Sequence, residues 1–454
     1  MAYNFLPYDQ EQLLLMPPSL REWVEDGSLA KFVSDVVDEM DERGELSAFY
    51  AKYRSDGWGR AAYPPRMMVK VLLYGYCLGI RSSRKLEQAL ESDVGFRYLA
   101  ANLRPDFRTV SDFRKEHGEA VGALFTNVLR LCQEAGLVKL GHVALDGRRV
   151  AGNAVLERNL TKAQLEELAR KILQEADEVD AAEDAQYGVD KRGDELPKEL
   201  RTRESRLKAI RRALDEIAKP EEEIRKEHEK KLEARKALEE QTGRRARGAR
   251  PKLKEDKIQR LRVNLTDPDS RPMKTRRGYV QGYNGQTMVD CGSQVIVAQQ
   301  LRQEAVDYQL LQPMLHACEQ QARARPQVCI ADGGYWSEAN AALEDERTTL
   351  YIAVGHSRGI EEREYWTKER RKAEPKGPQA VQMREKLEKP EGLAIYKLRS
   401  KTVEPVFGQM HERDLNRFLL RGLKKAAVEW SLWCTTHNIL KLWRNRRSLT
   451  LRIA

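Results

Sequence analysis

The stretch "GHVALDGRRV", residues 141–150, is where the character of the chain changes. Upstream of it, apolar residues recur at helical spacing. Here Val143 and Leu145 flank Ala144 in a period-two run that ends at Asp146-Gly147, the pattern of a short strand closed by a turn. The spacing therefore predicts that Asp146 sits at the end of a first strand. A strand arriving only after about 130 helical residues, with more strands after a long charged interruption, points to an α/β order with one mixed sheet flanked by helices.

Working back towards the start, the first 130 residues read as all-helical. Ser28 precedes the series Leu29, Phe32, Val33, Val36, Val37 and Met40, an N-cap followed by one apolar face. "PPRMMVKVLLYGYCLG" offers Pro65 as a first-turn residue and Gly79 as a stop, and "SSRKLEQALES" puts Leu86 and Leu90 on one face. "RTVSDFRKEH" predicts a capping box of Thr109 and Asp112 on a helix carrying Arg108, Arg114 and Lys115. Such helices fit a DNA-reading domain or a bundle with a solvated basic face.

Working forward, residues 156–260 read as a helical, charge-rich insertion. Leu200, Leu207, Ile210, Leu214 and Ile217 supply its apolar seam, and Gly188, Gly193 and Pro197 break it into antiparallel helices rather than one rod. It closes on the basic segment "RRARGARPKLK", which fits either a phosphate contact or solubilising disorder. Strand signals resume at "QTMVDCGSQVIVAQQL", a predicted hairpin, then at "PQVCIADGGYW", which ends at Asp332, and at "TLYIAVG". Residues 357–392 read as a proline-interrupted linker, after which Glu404-Pro405 reads as the start of a long helix.

Composition sets the outer bounds. A chain of 454 residues with 41% hydrophobic content has room for two or three domains with real cores. Net charge is +10, which favours a polyanionic partner. The six cysteines, Cys77, Cys132, Cys291, Cys318, Cys329 and Cys434, form no C-x-x-C pair, so neither a zinc site nor a disulfide framework is expected, as befits a reducing cytoplasm. No apolar run approaches the roughly 18 residues of a membrane span. Trp430 and Trp433 fall at helical spacing and read as core.

Three carboxylates hold special positions in this order: Asp146 and Asp332 at strand ends, and Glu404 at a helix start. Strand ends in α/β sheets form ligand crevices, and a helix over that edge can add a third acid. Like charges brought together need a cation. Two Mg²⁺ or Mn²⁺ ions suit such a hard oxygen cluster and serve phosphodiester chemistry.

The segments "ALDGRRVAGNA", "TDPDSRPMKTRRGYVQGYNGQTMVD", "IADGGYWSEAN" and "YKLRSKTVEPVFGQMHERDLNRFLLRGLKKAAVEWSLWCTTHNILKL" together resemble a DDE transposase of a bacterial insertion sequence. The first 120 or so residues resemble the InsH-like N-terminal domain of these proteins. The resemblance implies an RNase H-like catalytic domain in two parts, residues 131–155 and 261–454, split by the insertion at 156–260 and preceded by a DNA-binding domain at 1–130. It implies that Asp146, Asp332 and Glu404 are the catalytic, metal-binding acids. The partners implied are double-stranded DNA, as terminal inverted repeats and target, and a second copy of the chain on that DNA, in a cytoplasmic, nucleoid-associated setting. Related enzymes carry a tyrosine, an arginine and a lysine around the last acid. Tyr396 and Arg399 match the first two, with one residue more than usual between Arg399 and Glu404, and His411 stands where the lysine is expected. These three are expected to touch DNA near the cleavage site. Two other readings stay open: a catalytically impaired, transposase-derived DNA-binding protein, which His411 would permit, and a helical scaffold.

Overall fold

The computed structural model describes residues 19–53, 62–172, 198–246, 248–275, 278–354 and 377–453, with the side chains of all but 198–205 and 447–453. In the N-terminal part the helix signals hold. Ser28 Oγ accepts from Lys31 N at 3.4 Å to cap the helix Leu29–Glu42, whose Val33, Val37 and Met40 are fully buried. The helix Pro65–Cys77 opens on its proline and gives way at Gly79, whose φ of 79° needs a residue without Cβ. The expected capping box is corrected: the helix Phe107–Glu116 is capped by Asp106, whose carboxylate accepts from Thr109 N at 2.7 Å, while Asp112 pairs with Lys115. Asp106 wins because it lies one residue before the first helical turn, where the free N–H groups point.

Among the described residues eight strands follow: β1 (His142–Ala151), β2 (Asn159–Thr161), β3 (Arg262–Asn264), β4 (Arg271–Thr275), β5 (Gly278–Asp290), β6 (Ile296–Arg302), β7 (Val328–Ala331) and β8 (Thr349–Ile352). All but β2 and β3, which pair with each other, form one mixed sheet in the order β4-β5-β1-β7-β8, with β6 also on β5. The β5–β6 hairpin is as expected. β1 runs antiparallel to β5 and parallel to β7, which is parallel to β8. Parallel neighbours need crossovers, and the helix Leu311–Gln321 lies between β6 and β7.

Three expectations are corrected. Asp146 does not end its strand: β1 continues through five more residues, with Asp146 opposite Thr287 and Gly147 opposite Gln286. The Asp-Gly pair is a close-packing site, because a Cβ on Gly147 would collide with the Gln286 amide. The linker expected at 357–392 is helical from Pro378 onwards, in Pro378–Glu388 and Pro390–Glu412. Pro378 and Pro390 sit at first helical positions, where no N–H is missed, so they start helices rather than interrupt them. Glu404 is consequently in the interior of Pro390–Glu412, and Pro405 lies inside that helix. An interior proline leaves the carbonyl four residues back without its partner; here Gln294 Nε2 donates to Lys401 O at 3.0 Å and fills that gap.

The helix Leu423–Ile453 buries Trp430 and Trp433 completely. It packs on the helix Gly118–Glu134, and its Asn438 both donates to Ile296 O and accepts from Ile296 N at 2.9 Å, covering the outer edge of β6. One apolar core therefore runs from the N-terminal helices through this helix to the sheet. The insertion has its own small core, where Leu165 and Ile172 of the helix 162–172 meet Ile210, Ala213 and Ile217 of the long helix Lys198–Thr242, and Val263 of β3. Two helices rather than one rod is as expected; Gly188, Gly193 and Pro197 lie outside the described residues. No helix among the described residues is long and apolar enough to cross a membrane.

Candidate active site

The last pair of the parallel ladder between β1 and β7 is Leu145 with Ala331. The next residue is Asp146 within β1 and Asp332 just past the end of β7, so the register brings the two aspartates to adjacent positions. Asp332 caps the turn Gly333–Tyr335, its Oδ1 accepting from Gly334 N at 2.9 Å. Asp146 Oδ1 accepts from Gly147 N at 2.7 Å, and its Oδ2 accepts from Arg399 Nη1 at 2.9 Å. Burial pushes the Asp146 carboxyl up to about 7, and the charge of Asp332 pushes the same way, against the pull of Arg399.

Alternation along β1 divides its neighbours between two faces. Asp146 and Arg148 face the helix Pro390–Glu412. Arg148 Nη1 donates to Phe407 O at 2.8 Å, and its Nη2 lies 3.2 Å from His411 Nδ1. A guanidinium can only donate, so that imidazole nitrogen is the acceptor and carries no proton in this contact. Gly147 and Arg149 face the loop after β6, where Asp307 is buried. Asp307 accepts from Arg149 Nη2 at 2.5 Å, Asn284 Nδ2 at 2.8 Å and Gln286 Nε2 at 3.1 Å. Gln286 in turn accepts from the Tyr335 hydroxyl. Asp307 also adds to the negative field on Asp146. It had no sequence signal: its partners come from separate strands, and nothing around "EAVDYQ" distinguishes it.

The helix Pro390–Glu412 carries the remaining candidates. Tyr396 is only 8% exposed and packs with Ile330 and Ala353, so its ring supports the helix from beneath. Arg399 is largely buried and feels Asp146, Asp332 and Glu404 together. Glu404 is exposed on the helix surface. Four residues after Arg399, one full turn on, stands the fully buried Val403. The extra residue in the spacing thus turns Glu404 about 100° from that line. His411 is exposed, seven residues after Glu404 and on the same side of the helix, as expected.

The donor set fits a divalent cation in part. Asp146 and Asp332 offer hard carboxylate oxygens whose mutual repulsion calls for positive charge, and Arg399 supplies it beside Asp146. Among the described residues no three of His, Cys, Asp and Glu stand close enough together to hold a metal; Glu404 is not grouped with the two aspartates in this arrangement.

Residues 18–116 match the family model of a transposase domain (DUF772), and residues 363–443 match that of the transposase DDE domain. The first covers the N-terminal helices as far as Phe107–Glu116, and the second takes in Tyr396, Arg399, Glu404 and His411. No curated protein and no solved structure matches the chain. Two transposase family models match this chain, the second of them a DDE domain, and together they support a DDE transposase of an insertion sequence.

Proposed function

We propose that the protein binds the terminal inverted repeats of its element, cuts phosphodiester bonds there and transfers 3′-hydroxyl ends to target DNA. The observation that carries this reading is the placement of Asp146 and Asp332 one step beyond the last parallel pair, with Arg399 reaching Asp146 from the helix that bears Glu404. The sheet order, with three strands antiparallel around β5 and two parallel strands added beyond β1, supports an RNase H-like catalytic domain. The N-terminal helices are then the end-binding domain, and a homodimer on DNA, in a nucleoid-associated cytoplasmic setting, is the working assembly.

Asp146, Asp332 and Glu404 would hold two Mg²⁺ or Mn²⁺ ions, which supply an activated water or hydroxyl and stabilise the leaving oxygen. The chain's own groups do the rest. Arg399 holds Asp146 in place before the catalytic ions and DNA arrive, then yields it and turns to a phosphate. Arg148 and His411 line the path of the strand beside the acids, and Tyr396 fixes the turn of helix from which Arg399 reaches out.

The test is a labelled duplex carrying an element end, in Mg²⁺, with Asp146→Asn, Asp332→Asn and Glu404→Gln. Each should lose cleavage and keep binding, because affinity rests mainly on lysine and arginine contacts to phosphates. A second reading, a catalytically impaired DNA-binding protein, is favoured by Glu404 standing apart from the two aspartates. It predicts end binding without cleavage in the wild type as well.

A further inference from the structure

The segment that follows the long insertion helix is basic, and it is held in place. Helix Lys198–Thr242 ends at a turn through Gly243, φ 60°, and the chain then runs back along the helix. Arg235 Nη1 donates to Ala249 O at 2.8 Å, and its Nη2 donates to Ala246 O at 2.8 Å and Gly248 O at 3.0 Å. Glu239 accepts from Ala246 N at 3.0 Å, and the His228 ring meets Pro251 O at 3.1 Å. Backbone groups of this strap are thus consumed by the helix, which leaves its side chains to face outward.

The charges of the two layers differ. The helix neutralises itself: Arg225, Lys226, Lys231 and Arg235 pair with Glu221, Glu222, Glu227 and Glu239 at four-residue spacing. On the strap, Arg244, Arg245, Arg250, Lys252, Lys254 and Lys257 are all exposed, and none is in an ion pair among the described residues. Lys254 and Lys257 act on Glu227 only at longer range, behind its partner Lys231. Unpaired cations from Arg244 to Lys252 cost self-repulsion, ahead of the acids Glu255 and Asp256, and a series fixed along a helix matches the spaced phosphates of a duplex.

We propose that this strap is a second DNA-binding surface, which grips the sugar-phosphate backbone of duplex DNA away from the active site and without reading its sequence. The proposal rests on the transposase reading and adds a site to it. From Ile217 in the insertion core, the helix carries its end roughly 37 Å outward at about 1.5 Å per residue. Such a reach spans about 11 base pairs, so the strap meets DNA that a short end fragment does not contain.

The test uses the full-length protein in chelator, with a duplex of about 60 base pairs and one of about 10, both carrying an element end. The variant replaces Arg244, Arg245, Arg250 and Lys252 by glutamine. Its affinity for the long duplex should fall by about tenfold or more, with a log–log salt slope shallower by roughly 2 to 4, while the short duplex binds as in wild type. Arg235→Gln, which keeps the strap's charges but unties its backbone, should fall between the two. Equal affinity and equal slope for wild type and variant on the long duplex would overturn the proposal. So would a changed oligomeric mass with an unchanged slope, which would make the strap a protein contact. A wild type that binds neither duplex removes the functional reading itself, a result distinct from both.

Discussion

Arg399 Nη1 donates to Asp146 Oδ2 at 2.9 Å, joining the middle of the first strand to the helix of the last acid. It is the cation that two facing carboxylates need when no metal is bound. Arg399→Gln should therefore destabilise the metal-free protein by about 3 kcal/mol at pH 8, since breaking a buried pair strands a charge. At pH 6 the loss should be smaller, because Asp146 can then take up a proton. Urea unfolding in chelator at both pH values measures this, and an equal loss at each would refute it.

The Asp146 carboxyl itself predicts a pH dependence. Its folded value of about 7 lies above the ordinary carboxyl value of 3.8. Between these values the folded state keeps a proton that the unfolded chain gives up, so this residue's contribution to stability declines as pH rises through that window and levels off above it. A divalent ion needs the ionised carboxylate and should reverse the trend. Thermal midpoints with and without Mg²⁺ should separate more at pH 8 than at pH 6, and Asp146→Asn should remove the difference. Equal Mg²⁺ stabilisation of wild type and Asp146→Asn at both pH values would contradict this assignment.

Gly147 offers a mutational test of how tightly the site is backed. Its Cβ position meets Gln286, with Asn284 Oδ1 at 2.8 Å and Asp307 Oδ1 at 3.1 Å. Gly147→Ala should cost about 1–3 kcal/mol through overpacking and should abolish cleavage by displacing Asp146. Unfolding curves and cleavage rates together decide it; a variant as stable and as active as wild type would mean that the network around Asp307 gives way freely.

The order of elements was legible in the sequence, because strand and helix periods are local. Ser28, Pro65, Leu86 and the β5–β6 hairpin all stand where spacing put them. Its errors came where a local signal was overridden by a distant partner. Asp146-Gly147 looks like a turn, but β5 extends the ladder past it. Glu404-Pro405 looks like a helix start, but Gln294 takes the carbonyl that the proline frees, and the helix continues. Asp307 was invisible for the same reason, its donors arriving from β1 and β5.

His411 and Arg148 share one location, and the contact between them shifts the cationic role to the arginine. Arg148→Gln should slow cleavage by about tenfold, the loss of one charge-assisted contact of roughly 1.5 kcal/mol. His411→Ala should cost less. His411→Lys places two cations side by side, so it should lower the stability of the free protein yet keep cleavage once DNA phosphates are present. Rates for the three variants test this order, and His411→Ala falling below Arg148→Gln would reverse the roles.

If Asp332 and Asp146 hold divalent metal for strand cleavage, a change of ligand chemistry at Asp332 must change which metal supports the reaction. Asp332→Cys puts a soft thiolate in place of a hard carboxylate, which disfavours Mg²⁺ more than Mn²⁺. On a labelled element end the variant should bind as wild type, fail to cleave in Mg²⁺ and regain part of its cleavage in Mn²⁺. Cleavage in Mg²⁺ at the wild-type rate would contradict the account, since Asp332 would then not be a ligand.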